Sequence, residues 1–519
     1  MIYSSSKNIG FERLSAEVVQ LKDRILGYQE QVKCLQGSLK SSEAAKERQK
    51  QRYESIISEK DAIIKELKNQ VAHMAAVAAH DGTNTGTPTA STPIGKKKVI
   101  PNSRRGSGKK KGGQPGHARH IMEPFEAAEI TDAVVHELDI SAETCDICGR
   151  NLIDTGAVIS KDEFDVEINV VKKRHGYRIY ECAHCGATVR LQIDNRLKEK
   201  NQYGSNVQAL ALSLMATGNV AINKVRMLLC GMTQGLMNPS EGFICKLYKR
   251  AADGLDTFMV DLRRTLICRK LVYWDDTVIM IQTKRACMRF YGDETISYYT
   301  AHEHKDMDSI FEDGILTVLT PETTVMHDHN RVNYNERFSF QNIECNQHLE
   351  RDLQKIADDN PSHTWAKKLK AHISSAIKDR KDLILKGVES FTEEYVEKFK
   401  RKVKSLLQKG HKENDRSTNA YAAPFENAVL IRIEEYMDNY FRWIEDFNLP
   451  TTDNLSERGL RGIKSHMKIS GQFDSEKTAK YYAVVKTYVE TCRKNKINEM
   501  EALSRLCAGN PYTVDEIFT

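Results

Sequence analysis

The chain has 519 residues, more than one hydrophobic core serves, so three or more domains are expected. Its 77 Lys and Arg against 71 Asp and Glu leave a formal charge of only +6, so a polyanion partner has to be sought in where charge is placed. No apolar run approaches the ~18 residues of a membrane span, the N-terminus lacks a signal-peptide core, and twelve cysteines are too sparse for a disulfide scaffold, which together point to a cytoplasmic protein with no membrane partner.

The first element is a heptad helix over residues 1–77. Leu14, Val18, Leu21, Ile25, Tyr28, Val32, Leu35 and Leu39 follow the alternating 4,3 spacing of a coiled-coil seam, which returns at Tyr53, Ile56, Ile63, Leu67 and Met74 after a polar interruption. This choice of residues favours a parallel homodimer, the alternative being a long helix packed on its own chain. Residues 78–120 form a linker without a core. Its second part, 96–120, holds nine Lys and Arg, including Lys109, Lys110 and Lys111, and no acid, which suits contact with nucleic-acid phosphates better than a bare spacer.

A module follows over 121–200. Two CxxC pairs, Cys145 with Cys148 and Cys182 with Cys185, flank a stretch that reads as strand-rich, and Gly149 and Gly186 follow each pair where a tight knuckle turn needs a small residue. Four thiolates close the tetrahedral sphere of one structural Zn2+, so His184 is unnecessary and no position is left open for catalysis. A redox role would suit a lone CxxC better. Over 201–265 three short amphipathic helices read as a helix-turn-helix, with Asn238 as cap, Pro239 in the first turn of the last helix, and Ser240, Lys246, Lys249 and Arg250 on its exposed face toward DNA. The bland alternative is a small helical packing unit.

From residue 266 the pattern changes to strands. LVYWDDTVIMI, 271–281, has the length and β-branched content of a buried strand yet carries Asp275 and Asp276, and buried carboxylates need pairing, protonation or a cation. Two more strands, a helix, and a strand ending in TTVMHD suggest an RNase H-like α/β sheet, in which carboxylates at the ends of adjacent strands hold two divalent cations. Neighbouring residues of a strand point to opposite faces, so at most one of Asp275 and Asp276 belongs to such a site. Asp328 ends the second strand, whereas Asp293, Asp306 and Asp308 sit in turn-like segments. Further on, Asp453 reads as a helix cap with Glu457 one turn later among Arg458, Arg461, Lys464 and Lys468, cations suited to clamping backbone phosphates. The local alternative for Glu457 is an i,i+4 partner for Arg461. Residues about 360–446 read as an all-α insertion.

The order of these pieces, with KKKGGQPGH, CDICG, CAHCG, WDDT, MHDHNRVNYN, ECNQHLERDL and TDNLSERGLRGIKSHMKISG, resembles the transposases of the insertion-sequence-66 family over nearly the whole chain. The resemblance implies a catalytic Asp-Asp-Glu triad on Asp275, Asp328 and Glu457, and favours Asp275 over Asp276 because the family shows D-E-T there. Two departures stand out. Cys345, His348 and Arg351 are what remains of a C-W-A-H-A-R-R run, and Leu455 replaces the second Asn of D-N-N. The resemblance further implies two Mg2+ or Mn2+ ions per site, double-stranded DNA as element ends and target, strand cleavage by activated water, and attack of the freed 3′-hydroxyl on target DNA, with accessory proteins of the same element as possible partners. The reading as a whole is a multidomain α+β chain acting as a transposase. Its rivals are a DNA-binding regulator that keeps the scaffold without cutting and a structure-specific nuclease that cuts without joining.

Overall fold

The computed structural model describes residues 123–519 apart from 195 and 198, with parts of 17–27 and 57–71. The described N-terminal residues are helical, with Val18, Leu21, Ile25 and Ile63 of the heptad stripe half-buried and Leu67 buried. The remainder of the expected coiled coil and the basic linker with Lys109, Lys110 and Lys111 lie outside the described residues.

Between 123 and 204 none of the described side chains is buried. The stretch expected to be strand-rich has only two short strands, β1 (Ile179–Glu181) and β2 (Thr188–Arg190), paired antiparallel. Apolar residues such as Val166 and Val171 have no second layer to pack against, so alternation alone does not make them a sheet. The two CxxC segments nevertheless fold alike. Cys145 N–H donates to the Arg150 carbonyl and Gly149 N–H to that of Cys145; Cys182 N–H donates to Ala187 and Gly186 N–H to Cys182, all within 2.7–2.9 Å. Gly149 and Gly186 sit at φ 66° and 70°, the left-handed region in which a side chain is strained.

Five helices follow: α1 (Ser205–Ala216), α2 (Ile222–Met232), α3 (Glu241–Cys245), α4 (Leu247–Asp253) and α5 (Asp256–Ile267). The third helix of the expected trio is thus broken at Lys246. Its cap is Ser240, whose Oγ accepts from Phe243 N–H; Asn238 lies outside the helix and accepts from Arg226, and Pro239 is buried ahead of it.

The sheet consists of β3 (Leu271–Ile281), β4 (Lys284–Gly292), β5 (Ser297–His302), β6 (Thr324–His327) and β7 (Gln341–Glu344), in spatial order β5-β4-β3-β6-β7. The first three are antiparallel neighbours; α6 (Met307–Asp313) then carries the chain across so that β6 and β7 add parallel to β3. Three strands, a helix and a strand running into an acid is the succession expected from the sequence.

After α7 (Asn346–Asp359) comes the insertion, helical as expected: α8 (Trp365–Ile384), α9 (Glu393–Asp415), α10 (Ala423–Glu435) and α11 (Met437–Phe441). Buried Glu426 pins it, accepting hydrogen bonds from Trp365 Nε1, Asn360 Nδ2 and His363 Nδ1 at 2.5–2.9 Å. The chain closes with α12 (Asn454–Ser470), α13 (Glu476–Lys494), α14 (Glu499–Cys507) and α15 (Val514–Phe518).

The period-2 pattern of β3 divides the interior. Tyr273, Ile279 and Ile281 share a core with α12 and the insertion, whereas Val272 and Trp274 share one with α1, α2, α4, α5 and the C-terminal helices. Trp274 stacks on Tyr291, a core residue as expected. Ser213 and Thr217 of α1 both donate to Glu499 of α14 at 2.7 Å. The helices of 205–267 are therefore continuous in packing with the sheet, and no core boundary falls at 265/266.

Candidate active site

The two acids of β3 part company as strand geometry requires. Asp276 faces the same way as Trp274 and pairs with Lys305, whose Nζ donates to its Oδ1 at 2.7 Å. Asp275 shares the face of Tyr273, over which α12 packs. Its Oδ1 accepts from the Asp276 N–H at 2.7 Å. Burial pushes the Asp275 carboxyl up to about 8, with the charges of Asp328 and Asp276 adding to the effect and Lys464 opposing it.

Asp328 is one residue past the end of β6. The parallel pairing of β3 with β6 ends at Tyr273 and Met326; two residues beyond come Asp275, midway along β3, and Asp328, just past β6, near enough for the Asp328 charge to act on Asp275. His327 Nδ1 donates to the Asp328 carbonyl at 2.7 Å and Asn333 Nδ2 to the same oxygen at 3.1 Å, which fixes the turn after the strand. The sequence rivals have other duties. Asp293 accepts from Thr295 and Ile296 N–H in a turn and pairs with Arg269; Asp306 caps α6.

Glu457 is brought to the same face by α12. Buried Leu455, Leu460 and Ile463 hold that helix down, each contributing roughly 1.5–3 kcal/mol. Gly459 lets it lie close, since a Cβ there would meet Phe290 Cδ2 at 2.8 Å, and Tyr299 Oη donates to the Gly459 carbonyl at 3.2 Å. Both ends are tied: Asp453 N–H donates to Cys345 Sγ, and Phe473 exchanges backbone hydrogen bonds with Met280 and Gln282 at the end of β3. The Glu457 side chain is 19% exposed, with Arg351 Nη2 at 3.5 Å, His348 Nε2 at 3.9 Å and Arg461 at only 4.0 Å. Its stronger partners thus come from α7, not from its own helix.

Residue-level reading of the sequence missed one acid. Asp453, expected to be a helix cap, accepts no backbone N–H from the first turn of α12 and turns its carboxyl inward, where the Ser456 hydroxyl donates to it. Burial holds it well above the carboxylate range, and the charges of Asp275, Asp328 and Glu457 add to this, against the Ser456 hydroxyl. Four carboxyl groups thus act on one another across β3, β6 and α12, although among the described residues no three His, Cys, Asp or Glu side chains are drawn together as an ion's ligands. The same holds for the four cysteines: each CxxC pair is close enough to share a hydrogen bond, but the two pairs are not gathered.

Residues 232–481 match the family model described as Transposase IS66 family. Over those 250 of its 519 residues the chain is similar to the IS66 transposases. The match runs from the end of α2 into α13 and takes in the five-stranded sheet, the helical insertion and α12. No curated protein matches the chain.

The expected DNA-facing residues divide. Lys246, Lys249 and Arg250 are exposed, but Lys249 pairs with Asp253 at 2.7 Å and Arg250 lies over the Phe243 ring. On α12, Arg461, Lys464 and Lys468 continue the stripe of Glu457 at helical spacing and are exposed. Arg458 turns aside and lines a cavity of about 400 Å³ with Phe290, Tyr299, Lys486 and Lys494, separate from the acids. Among the described residues no helix is long and apolar enough to cross a membrane.

Proposed function

We propose that the protein is a DNA transposase with an RNase H-like catalytic domain of the Asp-Asp-Glu type. It cleaves a strand at the ends of its element and joins the resulting 3′-hydroxyl to target DNA. The observation that supports this reading is the nearness of Asp275, within β3, to Asp328, just past the parallel β6, with the helix that carries Glu457 packed on β3.

Carboxylate oxygens are the donors that hard divalent cations prefer, and the buried acids need a counter-charge, so the residues fit Mg2+ or Mn2+. Asp275, Asp328 and Glu457 would hold the ions. When bound, two such ions supply Lewis-acid activation of the attacking oxygen and charge neutralisation at the leaving one. The chain's own part is positioning. The β3–β6 register sets two acids, Gly459 and the tied ends of α12 set the third, and Arg351 and His348 orient the Glu457 carboxyl. Arg461, Lys464 and Lys468 lie along the helix face next to the acids, where they would neutralise backbone phosphates and fix the strand for in-line attack. Lys109, Lys110, Lys111, Lys246, Lys249 and Arg250 would extend that contact, and the heptads of 1–77 would pair two copies.

One structural Zn2+ on Cys145, Cys148, Cys182 and Cys185 completes the reading. Its support is the twin knuckle turn and the lack of any buried side chain among the described residues of 123–204, a segment too poor in core to hold itself together without a staple.

The test is a DNA fragment carrying the element's inverted-repeat ends, incubated with the full chain and Mg2+. Cleavage and, with target DNA, joined products are expected. Asp275→Asn, Asp328→Asn and Glu457→Gln should each lower cleavage by at least about 10²–10³-fold with end binding retained. A chain that shifts the fragment but leaves it uncut in Mg2+ and in Mn2+ is a regulator, and one that cuts but never joins is a nuclease; either result overturns the proposal.

A further inference from the structure

We propose that Asp453 is a fourth carboxylate ligand of the cation site, beside Asp275, Asp328 and Glu457; this rests on the metal-dependent reading above. An Asp just ahead of a helix ordinarily accepts from the N–H groups of the first turn. Asp453 forgoes that role. Ser456 Oγ donates to its Oδ1 at 2.6 Å, which aims the carboxyl, while Asp453 N–H donates to Cys345 Sγ at 3.2 Å, which fixes the backbone behind it. The residue is 1% exposed, and Oδ2 meets no hydrogen-bond partner among the described residues.

An unmet carboxylate oxygen is costly to bury, and the charges of Asp275, Asp328 and Glu457 make it worse. Of the cations around the acids, Arg351 pairs with Glu457 and Lys305 with Asp276, while Lys464 acts on Asp275, and none of the three hydrogen-bonds to Asp453 Oδ2. A hard divalent ion among the four acids would satisfy the Oδ2 lone pairs and the excess negative charge together, and oxygen donors of this kind are what Mg2+ and Mn2+ take. The loss of the helix cap is then the cost of a ligand supplied from the residue where α12 begins.

The test uses the zinc-loaded full chain without DNA, titrated with Mn2+ and followed by the electron paramagnetic resonance of the free ion, so that no activity is needed. Sites that Asp275→Asn removes define the centre. Asp453→Asn is expected to weaken Mn2+ at those sites by about tenfold or more. Without metal it should melt no lower than the parent protein, because a repelled charge is gone. Parent-like Mn2+ binding in Asp453→Asn, with binding lost in Asp275→Asn, overturns the inference and leaves the transposase reading standing. If the parent protein has no Mn2+ site that depends on Asp275, the metal-dependent reading falls and this inference with it. Should Asp453→Asn melt lower, Ser456→Ala decides: it keeps all four acids and removes only the aiming hydroxyl, so a several-fold loss of Mn2+ affinity supports the ligand role and unchanged affinity overturns it.

Discussion

Arg351 Nη2 stands 3.5 Å from Glu457 Oε1, a contact between residues 106 positions apart that joins α7, the helix after the last strand, to α12. Arg351 is a positioning residue in the proposed mechanism: it orients the carboxyl without being a ligand. Arg351→Ala should therefore lower strand cleavage by about 10–100-fold, the size seen when an outer partner of a metal ligand is removed, with end binding preserved. Arg351→Lys should restore part of the rate by returning the charge without the planar fork. Equal cleavage by Ala and parent proteins would show that Glu457 needs no such support.

Gly459 sets the height of α12 over the sheet. A methyl group there collides with the Phe290 ring at 2.8–2.9 Å, and the ring edge has the sheet behind it. Gly459→Ala is expected to cost roughly 1–3 kcal/mol of stability in a denaturant titration. It should also cost on the order of 10²-fold in cleavage, since displacing a catalytic group by about 1 Å does so. An alanine variant that cuts at the parent rate would show that the helix can shift without moving Glu457 out of place.

The segment proposed to bind zinc should come apart alone. No residue of 123–204 joins either hydrophobic core, so losing its metal takes nothing from the packing of the sheet. Cys145→Ser or Cys182→Ser is expected to remove one zinc per chain by elemental analysis and to open the segment around 145–190 to protease. The melting of the sheet domain should stay unchanged. Zinc content equal to the parent's in both variants would rule out the four-cysteine site.

Acid stability should report on His466. Its ring packs against those of Phe473 and Tyr482, centroids 5.2 and 4.6 Å away, with Nδ1 unpartnered among the described residues. Burial, helped by the Lys486 charge, holds its pKa down to about 4 against the ordinary 6.5. A depressed folded value means that the unfolded chain binds the proton first. The stabilisation is thus complete above about pH 6.5 and is lost as pH falls toward 4, with a slope of at most about 1.4 kcal/mol per pH unit. His466→Phe, which keeps the stacking, should flatten the difference between denaturation free energies at pH 4.5 and 7; an unchanged difference would place the proton uptake elsewhere.

Much of the catalytic scaffold was legible because it is written locally. LVYWDDTVIMI announces a buried strand through its β-branched and aromatic residues, and TTVMHD shows a strand running out at an acid. The long insertion helices follow from their 3.6-residue apolar period. The module around the CxxC pairs was legible only in part: its knuckle glycines were foreseen, but its strands mostly were not formed, because alternation needs a facing layer to become a sheet. The three helices before the sheet were found, yet nothing local said that their apolar stripes pack on Val272 and Trp274.

By itself, then, the sequence determined which residue types stand at which strand and helix ends, since periodicity and turn chemistry act over a few residues. Only the tertiary structure decided which acids look at one another. Asp453 stands where a helix cap belongs, yet its carboxyl takes the nearby Ser456 hydroxyl in place of a backbone N–H, while Cys345, 108 positions away, holds its backbone and the fold sets it among the other acids. The partners of Glu457 were likewise beyond local reading: helical spacing offers Arg461, but the fold brings Arg351 nearer, because α7 is packed beside α12 by a core that no short window of sequence contains.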